Sequence, residues 1–119
     1  MNLQKKADRL LQEKYAIGKC EMCPKPVSCV HHLFPKSSSS ALRFYPPNLV
    51  RVCVGCHLKF HSKFSSEMID RVVLKRGQKW FDDLQKKRHE IIKTNKKYYE
   101  EIIKELITAL AKNKSLLKK

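Results

Sequence analysis

Cys20-Glu21-Met22-Cys23 and Cys53-Val54-Gly55-Cys56-His57 decide how this chain is read. Two residues between paired cysteines let both sulfurs reach one ion from a tight knuckle, and two such knuckles supply four thiolates for one tetrahedral zinc site. Four anionic ligands leave no open coordination position, so this zinc would be structural. The rival readings are buried free cysteines or a redox Cys-x-x-Cys, and a redox pair has no need of a second copy. Cys29, outside both pairs, reads as a small buried hydrophobe.

Between the knuckles, Pro24, Pro26, Pro35, Pro46, Pro47 and the run Ser37 to Ser40 exclude long helices. Val27 to Phe34 is expected as a strand and Ala41 to Tyr45 as a brief return strand, with the serines as the connection of an irregular hairpin. A segment so poor in regular structure needs help to stay folded, and zinc would clamp the start of the hairpin to the helix near Cys56.

Helices flank this middle. Leu3, Leu10, Leu11 and Tyr15 recur at near-helical spacing, giving an amphipathic helix within residues 1–18 that closes at Gly18. Val54 to Phe64 lacks proline and sets His57 and His61 one helical turn apart on a common face. A helix over Glu67 to Arg76, capped by Ser65 or Ser66, stops at Gly77, and a long helix is expected from about Gln78. Its positions Ile92, Asn95, Tyr99, Ile102, Leu106 and Ala109 follow a heptad-like seam, to be buried within the chain or against a second copy, and the tail beyond Lys112 is expected to fray. The organisation is thus an N-terminal helix (1–18), a zinc-stapled core (19–65) and a helical extension for packing or dimerisation (66–119).

The net charge of +15 favours a polyanionic partner, with nucleic acid the commonest. Without a membrane-spanning run or a signal-peptide core, the chain reads as cytoplasmic, with no membrane partner. From Met22 to Ser66 there is no Asp or Glu, yet Lys25, Lys36, Arg43, Arg51, Lys59 and Lys63 lie there. A two-metal nuclease centre needs several carboxylates, and this window has none. A single ion held by imidazoles remains open. Zinc, nickel or manganese suits such donors, whereas magnesium would lean on phosphate and water.

The order Cys-x-x-Cys, His31-His32, Asn48-Leu49, Cys-x-x-Cys-His57 resembles the HNH endonucleases over about Cys20 to His61. The stretch from His31 through Ala41-Leu42-Arg43-Phe44, Asn48 and the second knuckle is further similar to the NinG (Rap) recombination proteins of lambdoid phages. Members of that group often carry Asn where this chain has His57. The resemblance implies an α+β fold with a ββα-metal core, a hairpin followed by a helix around one divalent ion. It implies a metal-dependent DNA endonuclease, with branched recombination intermediates resembling Holliday junctions as candidate substrates. It places His32 as the general base, His31 and His57 as ligands of a catalytic Mg2+ or Mn2+, and Asn48 as the tether that orients the base.

His61 stays open between a further ligand, a phosphate contact and a helix-surface residue. Arg43, Arg51, Lys59 and Lys63 are the expected phosphate contacts. The alternative function is a zinc module that binds nucleic acid without cutting it.

Overall fold

The chain runs α1 (Leu3–Tyr15), β1 (Cys29–His32), β2 (Leu49–Val52), α2 (Val54–Phe60), α3 (Ser65–Arg76), α4 (Gln78–Arg88) and α5 (Lys96–Leu117). This α+β arrangement is seen in a computed structural model that describes residues 2–117, with side chains from 2 to 112. α1 starts where Asn2 Oδ1 accepts the N–H groups of Gln4 and Lys5, two donors that the first turn cannot satisfy itself. It closes before Gly18, whose φ of 87° lies in the left-handed region open to glycine.

β1 and β2 pair antiparallel, with Cys29 opposite Val52 and His32 opposite Leu49. The return strand is therefore Leu49–Val52 and not the expected Ala41 to Tyr45, and β1 is shorter than Val27 to Phe34. Asn48 causes the difference. Its side chain is wholly buried, Oδ1 accepts the N–H of Phe34, and Nδ2 donates to the carbonyls of Phe34 and Leu42. These bonds fold residues 40–44 into turns across the end of β1, and Pro46 and Pro47 have no N–H to extend a ladder. Asn48→Ala leaves the buried Leu42 carbonyl and the half-buried Phe34 N–H without their partner, so a loss of about 2 to 4 kcal/mol is expected. An unchanged urea midpoint for that variant would contradict this account.

Helices cover both faces of the ribbon. Val50 and Val52 join Leu33, Leu42, Phe60, Met68, Val72 and Leu84 around the buried cysteines. On the other face, Val30 and Leu49 join Leu10, Leu11, Ile103 and Leu106 of α1 and α5. Each large aliphatic side chain removed from water here contributes about 1.5 to 3 kcal/mol.

Three helix boundaries depart from the sequence expectation. α2 ends at Phe60 with His61 as its cap, and α3 begins at Ser65 without a side-chain cap. The long helix expected from Gln78 is two helices: Asn95 Oδ1 accepts the Tyr98 N–H at the start of α5, Ser40 Oγ accepts the Ile92 N–H, and Ser39 Oγ donates to the Arg88 carbonyl. Ile92 and Asn95 thus belong to the break between α4 and α5. Of the expected seam, Leu106 and Ile102 pack on α1 within the chain, together with Ile103 and Leu110, which the heptad spacing left out. The tail expected to fray stays helical to Leu117, and residues 118 and 119 lie outside the described residues. No helix among the described residues is long and apolar enough to cross a membrane.

Candidate functional site

All four knuckle cysteines converge. One sulfur from each of Cys20, Cys23, Cys53 and Cys56 lies within 4.8 Å of the others. Cys23 Sγ is 3.5 Å from Cys53 Sγ and 3.8 Å from Cys56 Sγ, while sulfurs about 2.3 Å from a tetrahedral ion stand about 3.8 Å apart. The set therefore fits a structural metal ion, and at these separations no disulfide links the sulfurs.

Local structure holds the sulfurs. Cys53 caps α2 and accepts the Cys56 N–H at 3.4 Å, and the Met22 N–H reaches Cys20 Sγ at 3.4 Å. From α3 and its end, Arg71 donates to the Met22 carbonyl, Lys75 to the Glu21 carbonyl, and Arg76 to the Glu21 carboxylate and the Leu49 carbonyl. The Cys56 N–H draws the Cys53 thiol down to about 6, whereas burial and then the neighbouring sulfurs push Cys56 up to about 12. A central divalent cation would let all four ionise together.

A second group forms at the outer edge of β1. One ring nitrogen from each of His31, His57 and His61 lies within 4.8 Å of the others. β1 carries His31, which stacks on Phe60 with ring centroids 4.4 Å apart, and α2 with its cap carries His57 and His61. The Nε2 atoms of His57 and His61 are 3.1 Å apart, matching the roughly 3.0 to 3.4 Å between imidazole nitrogens about 2.1 Å from a shared ion. His61, open from sequence, joins this group. Cys29, read as a small hydrophobe, puts Sγ 3.3 Å from His57 Nδ1.

His32 is not in that group, because successive strand residues point to opposite faces. It nevertheless lines the same cleft, of about 520 Å³, together with Gln12, Cys29, His31, His57 and His61. It is 7% exposed, and its Nε2 lies 2.8 Å from the Arg43 carbonyl. A carbonyl only accepts, so neutral His32 carries its proton on Nε2 and leaves the Nδ1 lone pair free. Asn48 belongs to neither the cysteine nor the histidine group and is the buried tether already described.

The expected phosphate contacts do not form one cluster. Arg43 lines the cleft but pairs with Asp8, and Arg51 donates to the Tyr15 carbonyl from the other strand. Lys59 and Lys63 are exposed outside the cleft lining, where Lys36 stands instead. Sequence reasoning passed over Asp8, Gln12 and the particular place of Lys36. The signal for the first two was a pair of polar residues one turn apart beside the apolar stripe of α1.

No carboxylate lines the cleft, and at His32 burial outweighs the Arg43 carbonyl and Asp8, which favour the charged ring, so its pKa is lowered. Burial first, then His57, His61 and His32, lower His31 to about 4, and burial followed by His61 lowers His57. An unfolded imidazole takes its proton near 6.5 and folded His31 only near 4, so between these values the unfolded state binds more protons and stability rises with pH. Urea titrations from pH 7 to 4 are expected to show stability falling toward acid, with His31→Gln removing up to about 2 kcal/mol of that fall. An identical slope in the variant would refute this sign.

Compared with known proteins, the chain matches no family model and no solved structure. It is 43% identical over 49 residues to the mitochondrial DNA mismatch repair protein mutS homolog of Sarcophyton glaucum. That likeness covers 38% of this chain and spans 5% of the length of that protein.

Proposed function

We propose that this protein is a metal-dependent DNA endonuclease of the HNH type, with β1, β2 and α2 as its ββα-metal core and zinc in the four-cysteine site. The observation that carries the reading is a carboxylate-free cleft lined by four histidines, three of them close enough together to share one ion and the fourth with Nε2 on a backbone carbonyl. His32 Nδ1 takes the proton from the attacking water, a task suited to an imidazole neutral near pH 7. The Arg43 carbonyl holds the ring in the tautomer that leaves Nδ1 unprotonated. Asn48 fixes the loop that carries this carbonyl through its bond to Leu42. Lys36 and the absence of acidic side chains admit a phosphodiester to the cleft.

His31, His57 and His61 would hold a divalent ion, which offsets the charge that builds on the phosphate and leaving-group oxygens. Of magnesium and manganese, three imidazole donors favour manganese. The similarity to a protein named for DNA mismatch repair supports DNA as substrate. The NinG likeness makes branched recombination intermediates the first structures to try. Purified protein is expected to nick supercoiled plasmid or cut a four-way junction when Mn2+ or Mg2+ is added. Binding of these DNAs without cutting under any divalent ion would instead assign it as a non-catalytic zinc module.

A further inference from the structure

The first helix reaches the cleft with two side chains one turn apart. Asp8 takes a bidentate pair from Arg43, with Nε 3.1 Å from Oδ1 and Nη2 2.6 Å from Oδ2. Gln12 donates to the Val30 carbonyl at 3.0 Å and accepts the Val30 N–H at 2.9 Å. Each bond lands on a residue next to the chemistry: Asp8 grips the side chain of Arg43, whose carbonyl holds His32, and Gln12 holds the backbone of Val30, which precedes His31.

Both targets are held from one side only, the loop by Asn48 at Leu42 and β1 by β2. Residues 40–44 are turns, so no ladder sets the direction of the Arg43 carbonyl. β1 is four residues long with one paired side, and the Gln12 amide stands where a third strand would pair. The Asp8–Arg43 pair is about four-fifths buried on both sides. A buried ion pair is weak evidence for stability, since its desolvation cost is comparable to its attraction.

We infer that Asp8 and Gln12 are positioning residues, through which α1 aims the Arg43 carbonyl at His32 and keeps β1 straight beneath His31 and His32. Arg43 then serves as a bridge inside the protein, not as a phosphate ligand. This rests on the reading of His32 as the base, but the geometry it describes is measurable without turnover.

The test is a double-mutant cycle on the full chain with Asp8→Asn and Arg43→Gln, using Glu13→Gln as a control on the exposed side of α1. Single-turnover cleavage, DNA dissociation constants and the His32 tautomer by nitrogen NMR at pH 8, in protein that keeps zinc at the cysteines and has no Mn2+ or Mg2+ added, are read for each. Misplacing a catalytic group by a fraction of an ångström costs on the order of tenfold or more. Both single variants and the double variant should therefore slow cleavage by the same factor, roughly tenfold, with DNA affinity changed less than about twofold.

In both single variants the His32 proton should spread from Nε2 onto Nδ1, and the swap Asp8→Arg with Arg43→Asp should recover part of the rate. If Asp8→Asn does not fold, Arg43→Gln carries the tautomer readout, and Gln12→Leu, which leaves the Arg43 carbonyl in place, should slow cleavage by a similar factor with the tautomer unchanged. Weaker DNA binding by Arg43→Gln at unchanged cleavage rate, or a wild-type tautomer in Asp8→Asn, would overturn the inference. A wild type that never cuts DNA would remove the nuclease reading alone, and the tautomer shift would still decide the positioning role.

Discussion

Replacing His32 with alanine is expected to slow single-turnover strand cleavage by roughly two to four orders of magnitude, the usual contribution of a positioned proton acceptor. The ring is nearly buried and its Nε2 is committed to the Arg43 carbonyl, so Nδ1 is its remaining nitrogen for a substrate water. Alanine also leaves that carbonyl unpartnered. His32→Gln, which can still donate to it, separates chemistry from folding: it should melt like the wild type and cut as poorly as His32→Ala. DNA affinity should hold in both variants, because the ring contributes no charge near pH 7. Cleavage that survives either change in a clean preparation would move the base elsewhere.

Stripping metal from the cysteine site is the second large effect. Cys20, Cys53 and Cys56 are themselves part of the core that contains Val50, Val52, Phe60 and Leu84. Structural zinc supplies about 10 to 16 kcal/mol of apparent binding energy in small domains, comparable with the roughly 5 to 15 kcal/mol by which a folded domain exceeds its unfolded state. Chelation or Cys53→Ser should therefore abolish the cooperative thermal transition and the near-ultraviolet signal of Trp80. Metal analysis should find one tightly held ion per chain, retained when His31, His57 and His61 are all replaced. A chelated protein with an unshifted transition would show that the sulfurs are merely neighbours.

The cysteine pairs were legible because their spacing fixes what the sulfurs can reach whatever the rest of the chain does. His57 and His61 were legible as a pair for a similar reason, one helical turn, whereas His31 was joined to His57 only through the family resemblance, because spacing along the chain does not say how β1 packs on α2. β2 was not legible. Leu-Val-Arg-Val is only four residues long, and with Leu49 buried on one side and Val50 and Val52 on the other its alternation is blurred. The break after Arg88 was hidden because the serine run that holds it open is distant in sequence. Arg43 shows the limit most sharply: a cation beside a suspected active site reads as a phosphate contact until Asp8, from another helix, is seen to occupy it.

A two-stranded ribbon has two raw rims where a foreign strand can zip on and start self-assembly. Here Gln12 plugs one rim at Val30, and the Glu21 N–H takes the Arg51 carbonyl on the other. Polymerisation through this ribbon would first have to pull both plugs, so variants at Gln12 are the ones to watch for fibrils on storage.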